Sequence, residues 1–544
     1  MSIRQENTAF WPQALVPSVV LMVFFVIPFA IMLAVSFFER VEGGFFEPSF
    51  VLTNYIRFLT PFFAGILIVS IVLAAGAAFI VVVVAFPFTY IVSRMNRGAQ
   101  SIILVFVLSV LSLSEVIIGF AWSTLLSQTA GIGNLFSFLG LTNGPRAYTP
   151  GIVALMLGLA YLGFPYAVLT MYPSISRLDP ELSEAARMSG ASPVRAFISV
   201  TLPIMRRTIT GALILVFVFT LGAYLLPQVL GRPRHWTLPV HITDQAIFQS
   251  NIPFAASMAM FLLLVSLALV GLSLAASAFQ MTNLTNKAFV GAVLLFLSVP
   301  LVVIAGVSLN QPKRLLFPPE GISFRWYVEL FTEGDWVSAL ANSVTIAILA
   351  SIFAVCIALP LAHLAWSRRS MLTRILFGLG IAPFMLPPVI SALGFLVFWL
   401  SIGFYGNILT TVVSHGVFLV ALPLVTISLG LEGIDRSLVE AARTMGANQR
   451  TVFLTIVFPL IRPYLISGFS FAAVLSLNEY IIAYMVAGFS VETLPIKVFN
   501  SLRYGYTPVM ASVSVFFVFI AVAVFGAVAW FGDLPRLLGA HRSN

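Results

Sequence analysis

Two stretches of the chain, Leu-Ser-Glu-Ala-Ala-Arg-Met-Ser-Gly-Ala (182–191) and Leu-Val-Glu-Ala-Ala-Arg-Thr-Met-Gly-Ala (438–447), are close copies of each other. We call the spacing that carries position 182 to position 438 the loop offset, and the same spacing carries Asp179 to Asp435. A self-match at a fixed spacing is the sequence signature of an internal repeat. The chain is therefore predicted to contain two similar halves in tandem.

The repeat extends well beyond these two stretches. Thr237-Leu238-Pro239 returns as Thr493-Leu494-Pro495 at the loop offset. Nearer the start of each half, Tyr55 matches Tyr327 at a longer spacing, so the halves differ by insertions between the two regions. We predict a first half over 1–280, a linker over 281–287 and a second half over 288–544.

The composition indicates that a lipid bilayer solvates most of the chain. Of the 544 residues, 60% are hydrophobic and only 9% are charged, and the mean hydropathy is +1.05. A soluble domain would carry about 25% charged residues. The net charge of +9 sits in short loops between apolar segments, which indicates a role in membrane topology and argues against a nucleic-acid partner.

The apolar segments predict an all-α integral membrane protein with twelve transmembrane helices. Each segment is long enough to cross a hydrocarbon core of about 30 Å as a helix. More of the 28 lysines and arginines fall on the side of the N-terminus than on the other side, which places both termini in the cytoplasm. The predicted spans are 14–38, 62–93, 101–124, 150–172, 207–229, 252–279, 288–309, 336–366, 371–400, 408–430, 462–485 and 507–531.

The repeated loop between the fourth and fifth spans of each half has its own helix signals. Asp179 followed by Pro180 is a helix cap followed by proline at the first helical position. Gly190 is a typical left-handed stop, after which Ser192 begins another helix. The second copy uses Asp435, Gly446 and Asn448 in the same places. Both copies lie between the fourth and fifth spans of their half, so the halves are predicted to be parallel repeats about an axis along the membrane normal. The bias of positive charge then places both copies on the cytoplasmic face.

The first helix of each loop offers a small surface that another protein can approach closely. Ala185 and Ala186 provide that surface in the first copy, beside the charge of Glu184. Glu440, Ala441 and Ala442 repeat the pattern. An ordinary amphipathic connector is the alternative for a single copy, and the matched duplication disfavours it.

Glu-Ala-Ala, three residues, Gly190, nine residues, Val200, one residue and then Leu202-Pro203 resembles the EAA motif of ABC importer permeases. The second copy departs from it only by Phe458-Pro459 in place of Leu-Pro. The resemblance implies a type I ABC importer fold made of two six-helix permease repeats. It also implies that the loops 179–203 and 435–459 carry coupling helices, with Gly190 and Gly446 ending them, that sit in a groove of an ATPase subunit.

Other segments resemble the spermidine/putrescine-type permeases. Ser-Phe-Arg-Trp-Tyr-Val-Glu-Leu-Phe (323–331) and Glu-Thr-Leu-Pro-Ile-Lys-Val (492–498) look like the second permease of that group, and Leu-Thr-Asn-Tyr (52–55) looks like the first. The resemblance implies that the two permeases, which are usually separate chains in that group, are joined here. The resemblance implies a polyamine or a similar cationic amine as the solute, with ferric iron, thiamine and aminophosphonates as alternatives within the same group.

The resemblance also implies the partners. Two ATPase subunits would bind ATP and Mg²⁺ on the cytoplasmic face of a bacterial inner membrane, and one extracytoplasmic solute-binding protein would deliver the solute for transport by alternating access. This chain has no GxxxxGK[ST] phosphate loop, so it is expected to bind no cofactor and to catalyse no reaction itself. The alternative is a secondary transporter driven by an ion gradient.

Two acidic residues fall deep within apolar segments, Glu115 in the third predicted span and Glu479 in the eleventh. Charged groups at such depth are costly and usually face the interior. Carboxylates near aromatic rings suit a cationic amine. A helix–helix hydrogen bond or a place near the outer interface remains the alternative. Ala223 occupies the position of Glu479 in the first half, so an acidic site would be asymmetric. The other candidate residues of the pathway are Trp122, Tyr224, Gln228, Asn478, Tyr480 and Tyr484.

Overall fold

A computed structural model of the chain describes residues 10–41, 46–128, 132–138, 140, 143–144, 146–275, 286–314, 317–368, 370–505 and 507–531. Within these residues the regular structure is helical, and the β-type pairing consists of the isolated bridges Glu39–Glu47 and Asn310–Ile322. The all-α prediction is therefore confirmed. The predicted linker lies outside the described residues except at its end, where Asn286 begins a helix.

The helices of the first half are α1 (Phe10–Leu21), α2 (Ile27–Val35), α3 (Thr53–Phe58), α4 (Pro61–Ser93), α5 (Arg97–Leu111), α6 (Glu115–Leu125), α7 (Ile132–Phe138), α8 (Ile152–Ser176), α9 (Pro180–Met188), α10 (Pro193–Ala196), α11 (Leu202–Leu221), α12 (Leu225–Leu230), α13 (Leu238–Thr243) and α14 (Ile252–Ala275). Short π-helical turns at Met22–Val26, Phe197–Thr201 and Asp244–Phe248 and a 3-10 turn at Pro233–His235 connect some of them.

The helices of the second half are α15 (Asn286–Ser308), α16 (Arg325–Thr332), α17 (Gly334–Ser367), α18 (Met371–Met385), α19 (Pro388–Ser401), α20 (Ile408–Phe418), α21 (Ala421–Glu432), α22 (Arg436–Thr444), α23 (Gln449–Val452), α24 (Phe458–Asn478), α25 (Ile481–Ala487), α26 (Leu494–Tyr504) and α27 (Val509–Phe531). A π-helical turn at Phe453–Val457 joins α23 to α24, and the loop offset relates it to the turn Phe197–Thr201.

The helices long and apolar enough to cross a membrane match the predicted spans. Among the described residues there are eight single helices of this kind and three bent pairs, which account for eleven predicted spans. The remaining predicted span, 252–279, corresponds to α14, whose apolar stretch is described as Ile252–Ala268. The chain is thus a multi-pass membrane protein.

Two of the predicted spans, 101–124 and 371–400, are sharply broken. Helices α5 and α6 meet at 95°, and α18 and α19 meet at 103°. In the first pair Ser114 caps the new helix, and its hydroxyl accepts a hydrogen bond from the Ile117 N–H at 3.4 Å. In the second pair α19 begins at Pro388, which has no N–H to continue the preceding helix. Each of these two predicted spans is thus a pair of helices joined at a sharp bend.

The predicted spans 207–229 and 462–485 also end earlier than expected. Helix α11 stops at Leu221 and α24 stops at Asn478, and each is followed by a short separate helix, α12 or α25. Glu479 therefore lies at a helix break and not in the middle of a span. Non-helical backbone at membrane depth is tolerated where it is buried in protein or lines a cavity.

Matched hydrogen bonds show that the two halves repeat in three dimensions. Near the start of the first half the hydroxyls of Ser36 and Tyr55 lie 2.6 Å apart, and the equivalent hydroxyls of Ser308 and Tyr327 lie 2.7 Å apart. The spacing from Ser36 to Ser308 is the same as the spacing from Tyr55 to Tyr327. The sequence match between the two tyrosines therefore reflects the same local structure.

A second matched pair of hydrogen bonds joins α4 to the start of α13 in the first half and α17 to the start of α26 in the second half. The Ser70 hydroxyl accepts a hydrogen bond from the Leu238 N–H, and the Ser343 hydroxyl accepts one from the Leu494 N–H, both at 2.8 Å. The spacing between the two serines is longer than the loop offset that separates the two leucines. This difference confirms that insertions separate the repeated regions.

The two halves interlock through their first spans. Helices α1 and α2 pack against α17 and α19 of the second half, and α15 packs in return against α4 and α6 of the first half. The first span of each half is therefore part of the other half's packing. This arrangement brings the broken spans α5–α6 and α18–α19 to the boundary between the halves.

The close packing of α24 on α21 predicts a site that is sensitive to a single methyl group. A Cβ at Gly468 would lie 2.7 Å from the backbone Cα of Pro423, whereas a Cβ at Gly526 in α27 would meet nothing within 4 Å. We expect Gly468→Ala to destabilise the fold by about 1–3 kcal/mol through overpacking. The thermal unfolding midpoint of the purified chain in detergent measures it. Gly526→Ala is the control, and equal midpoints for the two variants would contradict the packing.

Candidate functional site

The helix breaks of both halves meet at one cavity of about 100 Å³. The breaks contribute Glu115 at the start of α6, Tyr224 before α12, Pro388 at the start of α19 and the segment 478–481 before α25. Other lining residues are mostly apolar, and they include Leu111, Leu113, Ser114, Leu162, Tyr166, Phe219, Gly222, Leu225, Phe384, Phe418, Leu419 and Leu475. The cavity is thus a mostly apolar space with two carboxylates at its edge.

In the second half, the Glu479 carboxylate closes the break between α24 and α25. Its oxygens accept hydrogen bonds from the N–H of Ile482 at 3.0 Å and from the N–H of Ala483 at 3.1 Å. The first N–H groups of a helix have no partner within the helix, so a side-chain acceptor satisfies them. The carboxylate therefore holds the start of the short helix α25.

The same carboxylate pairs with a histidine from another span. The Nε2 atom of His415 in α20 lies 3.1 Å from Oε2 of Glu479, and its Nδ1 atom lies 2.8 Å from the hydroxyl of Ser476. The side chains are 1% exposed for His415 and 10% exposed for Glu479. This pair connects α20 to the helix break. Sequence reasoning missed His415, although a histidine within an apolar span is a signal of a polar contact in the interior.

In the first half, the Glu115 carboxylate reaches across to a different span. Its Oε2 atom accepts hydrogen bonds from the N–H of Tyr224 at 3.2 Å and from the N–H of Leu225 at 2.9 Å. These groups stand at the start of α12, so the third span satisfies the backbone of the fifth. One alternative left open by the sequence, a helix–helix hydrogen bond, is therefore present, and it occurs at the wall of the cavity.

Tyr224 and Tyr480 face each other across the boundary between the halves. Their ring centroids are 6.1 Å apart and their planes differ by 4°. They are repeat equivalents at the loop offset, and both side chains are buried. Tyr480 also stacks on Tyr484, with centroids 5.1 Å apart. The two halves thus meet through a symmetric pair of aromatic rings that borders the cavity.

The structure brings together some of the predicted pathway residues and separates others. Five of them line the cavity: Glu115, Tyr224, Asn478, Glu479 and Tyr480. Trp122 instead packs against Tyr161 and Phe296, with centroids at 6.0 and 5.5 Å, and it does not line this cavity. Gln228 and Tyr484 also lie outside the lining. Five of the eight predicted pathway residues therefore border this cavity and three lie outside its lining, because α6, α12 and α25 each turn only one face toward it.

The paired loops adopt the helix–turn–helix form that their sequences predict. The carboxylate of Asp179 accepts a hydrogen bond from the Glu181 N–H at 3.0 Å, and that of Asp435 accepts one from the Ser437 N–H at 2.9 Å. The bond from Ser437 holds the pKa of Asp435 below its usual value. Helices α9 and α22 then begin at equivalent positions.

Both helices end at a glycine in the left-handed region. The φ angles are +89° at Gly190 and +88° at Gly446, a conformation that residues with a Cβ rarely adopt. After each glycine the next N–H bonds back into the helix, from Ala191 to the Ala186 carbonyl at 3.1 Å and from Ala447 to the Ala442 carbonyl at 3.0 Å. These bonds are the ordinary closure of a helix by a left-handed residue.

The loop helices present a free surface. Glu184, Ala185, Glu440 and Ala441 are exposed, while Ala186 and Ala442 are half-buried. At the C-terminal end of each helix a methionine stands almost fully in solvent, Met188 at 89% and Met445 at 88%. The two methionines are not repeat equivalents, because the loop offset pairs Met188 with Thr444 and Met445 with Ser189. Each loop helix nevertheless ends beside a large exposed apolar side chain, which marks a surface for a protein partner.

Comparison with known proteins identifies the family. Residues 354–533 match the model of the family described as "binding-protein-dependent transport system inner membrane component". The chain is 34% identical over 251 residues to the putrescine transport system permease protein PotI of Escherichia coli, and the match covers 43% of this chain and 86% of that protein.

Two further relatives match in the same way. The spermidine/putrescine transport system permease protein PotC of Haemophilus influenzae is 28% identical over 243 residues, covering 44% of this chain and 93% of that protein. The corresponding protein PotB of Salmonella typhimurium is 25% identical over 256 residues, covering 46% of this chain and 88% of that protein. Each relative is thus nearly complete within about half of this chain.

Among solved structures, a chain of a bacterial alginate ABC transporter in complex with alginate pentasaccharide-bound periplasmic protein aligns with a TM-score of 0.40 and 16% identity, over 48% of this chain and 90% of that chain. The sequence relatives, the repeated contacts and the paired loop helices agree with one another. The chain belongs to the binding-protein-dependent inner membrane permeases of ABC importers, and it joins two permease halves in a single polypeptide.

Proposed function

We propose that this permease imports a polyamine or a similar cationic amine by alternating access, driven by ATP hydrolysed on two separate ATPase subunits. The observation that carries the proposal is the cavity between the halves, where the carboxylates of Glu115 and Glu479 and the rings of Tyr224 and Tyr480 converge. Carboxylates and aromatic faces both attract ammonium groups, and the attraction is strongest where water is excluded.

The loop helices supply the proposed link to ATP. Helices α9 and α22 lie between the fourth and fifth spans of their halves, so the number of spans places them on the same side of the membrane. We assign that side, and both termini, to the cytoplasm of a bacterial inner membrane because the positive loop charge favours it. Two equivalent exposed helices then provide docking sites for two ATPase subunits, one on each half. An extracytoplasmic binding protein would deliver the solute to the opposite face.

The solute class rests on charge and on the relatives. Two of the similar permeases are described as spermidine/putrescine transporters and one as a putrescine transporter. The acidic cavity edge also suits a cation better than an anionic phosphonate, which the carboxylates would repel. Thiamine and ferric iron carry positive charge as well, and they are therefore tested beside the polyamines.

The proposal predicts a defined complex and a defined stimulation. We expect the full chain to co-purify with its ATPase at one permease to two ATPase subunits. In proteoliposomes, the binding protein loaded with putrescine or spermidine should stimulate ATP hydrolysis several-fold and support uptake, whereas the same protein loaded with an aminophosphonate, thiamine or ferric iron should not. Subunit mass, phosphate release and uptake of labelled solute measure these outcomes.

The controls separate this mechanism from a secondary transporter. A non-hydrolysable ATP analogue should abolish uptake, while ionophores that collapse proton and sodium gradients should leave it unchanged. Failure of any ATPase to bind, together with uptake that follows an ion gradient, would overturn the proposal. Stimulation by a different loaded solute would keep the ATP-driven mechanism and reassign the substrate.

A further inference from the structure

We infer that Glu115 is a positioning residue that acts through Tyr224. The first half has no acid at the position equivalent to Glu479, and Glu115, which comes from another span, takes over its role. This inference rests on the proposed function for its transport readout. The internal repeat shows which acid is missing, because the residue equivalent to Glu479 at the loop offset is Ala223. An alanine side chain has no acceptor for the N–H groups at the start of α12.

Glu115 has no acidic counterpart at the equivalent position of the second half. Ser70 and Ser343 set the spacing between equivalent positions in this region, and the same spacing pairs Glu115 with Pro388. The neighbouring residues support this register, since Leu113 recurs as Leu386 and Val116 recurs as Val389. Each half therefore has one acid at its cavity edge, but the first half carries it on the third span and the second half carries it beside the fifth.

The two carboxylates nevertheless make the same type of contact. Glu479 accepts from two N–H groups at the start of α25, and Glu115 accepts from two at the start of α12. The donors differ by position because Pro227 stands where the second half has Ala483, and proline has no N–H. Unpaired N–H groups at membrane depth are costly, so both halves need an acceptor at this place.

The consequence for transport lies in the tyrosine pair. The N–H that Glu115 binds belongs to Tyr224 itself, and the ring of Tyr224 stacks on Tyr480 of the other half. The third span of the first half thereby sets the position of a ring that bridges the halves and borders the cavity. In alternating access the halves must move relative to each other at this contact, so the carboxylate couples the third span to the movement.

Three variants distinguish positioning from simple charge. Glu115→Ala removes both the acceptor and the charge, whereas Glu115→Gln keeps an amide oxygen that accepts the same N–H groups. A third variant, Glu115→Ala with Ala223→Gln and Pro227→Ala, rebuilds in the first half a neutral form of the second-half arrangement. Positioning predicts that uptake falls by roughly 10-fold or more in Glu115→Ala, the size expected when buried donors lose their acceptor. Uptake falls less in Glu115→Gln, which keeps the acceptor and loses only the attraction of the carboxylate for the proposed cation.

Hydrogen exchange of the full complex gives a readout that does not depend on transport. The amides of Tyr224 and Leu225 should exchange faster in Glu115→Ala and remain protected in Glu115→Gln and in the rebuilt variant. Equal losses of uptake in the Ala and Gln variants, with unchanged exchange, would overturn the inference and assign Glu115 to charge alone. If the rebuilt variant does not fold, the Ala and Gln pair still decides. Absence of ATP-driven uptake in the wild type would refute the proposed function, whereas the exchange experiment would still test this inference.

Discussion

Uptake is expected to fall by about 100-fold or more when Glu184 and Glu440 are both replaced by arginine, because each change disrupts a central contact worth about 2 kcal/mol or more. Both glutamates are exposed on helices α9 and α22, at equivalent positions in the two halves. The change reverses the charge on each proposed docking surface while leaving the membrane spans untouched. The effect should exceed that of either single replacement, because each single variant still has one unaltered docking surface for an ATPase subunit.

The measurement is labelled solute uptake together with ATPase co-purification and the thermal unfolding midpoint. Glu320→Arg is the matched control, because Glu320 is exposed in the loop between α15 and α16, on the side assigned to the exterior. The control should keep wild-type co-purification of the ATPase, and all variants should unfold at the same temperature. Wild-type uptake in the double variant would remove the loop helices from the coupling mechanism.

Glu479→Ala is expected to have the second large effect, a loss of uptake of about 100-fold together with a loss of stability of about 1–3 kcal/mol for each backbone N–H left unpaired. The substitution leaves the N–H groups of Ile482 and Ala483 without their acceptor and leaves His415 without its carboxylate. Removing the acceptor is costly because the polar groups that faced it stay buried. The cavity also loses an acid that faces the proposed cation.

A double-mutant cycle with His415 separates these contributions. Glu479→Gln should keep most of the stability, because its amide oxygen still accepts the backbone N–H groups, while uptake of a cationic amine stays low. His415→Leu combined with Glu479→Ala should cost less stability than the two single losses added together, because the pair is lost only once. Additive losses would show that His415 and Glu479 are independent, and full uptake by Glu479→Gln would exclude a role for the charge.

The candidate site was predicted in part because polar residues stand out in an apolar sequence. Glu115 and Glu479 were predicted as pathway residues because they fall deep within apolar segments, and both line the cavity. Their hydrogen-bond partners gave no such signal, because the acceptors bind backbone N–H groups that every residue except proline carries. His415 belongs to no motif with a recognisable spacing, and only its depth within an apolar span sets it apart.

Local chemistry in the sequence by itself determined the membrane class, the number of spans, the repeat and the ends of the loop helices. An Asp cap at Asp179 and a left-handed glycine at Gly190 act on backbone groups within a few positions, so their neighbours are enough to predict them. The tertiary structure alone decided where the spans break and that Glu115 reaches Tyr224, which lies in a different span. In lipid, apolar faces give little information about which helix packs on which, so contacts between distant spans follow from the packing of the whole chain.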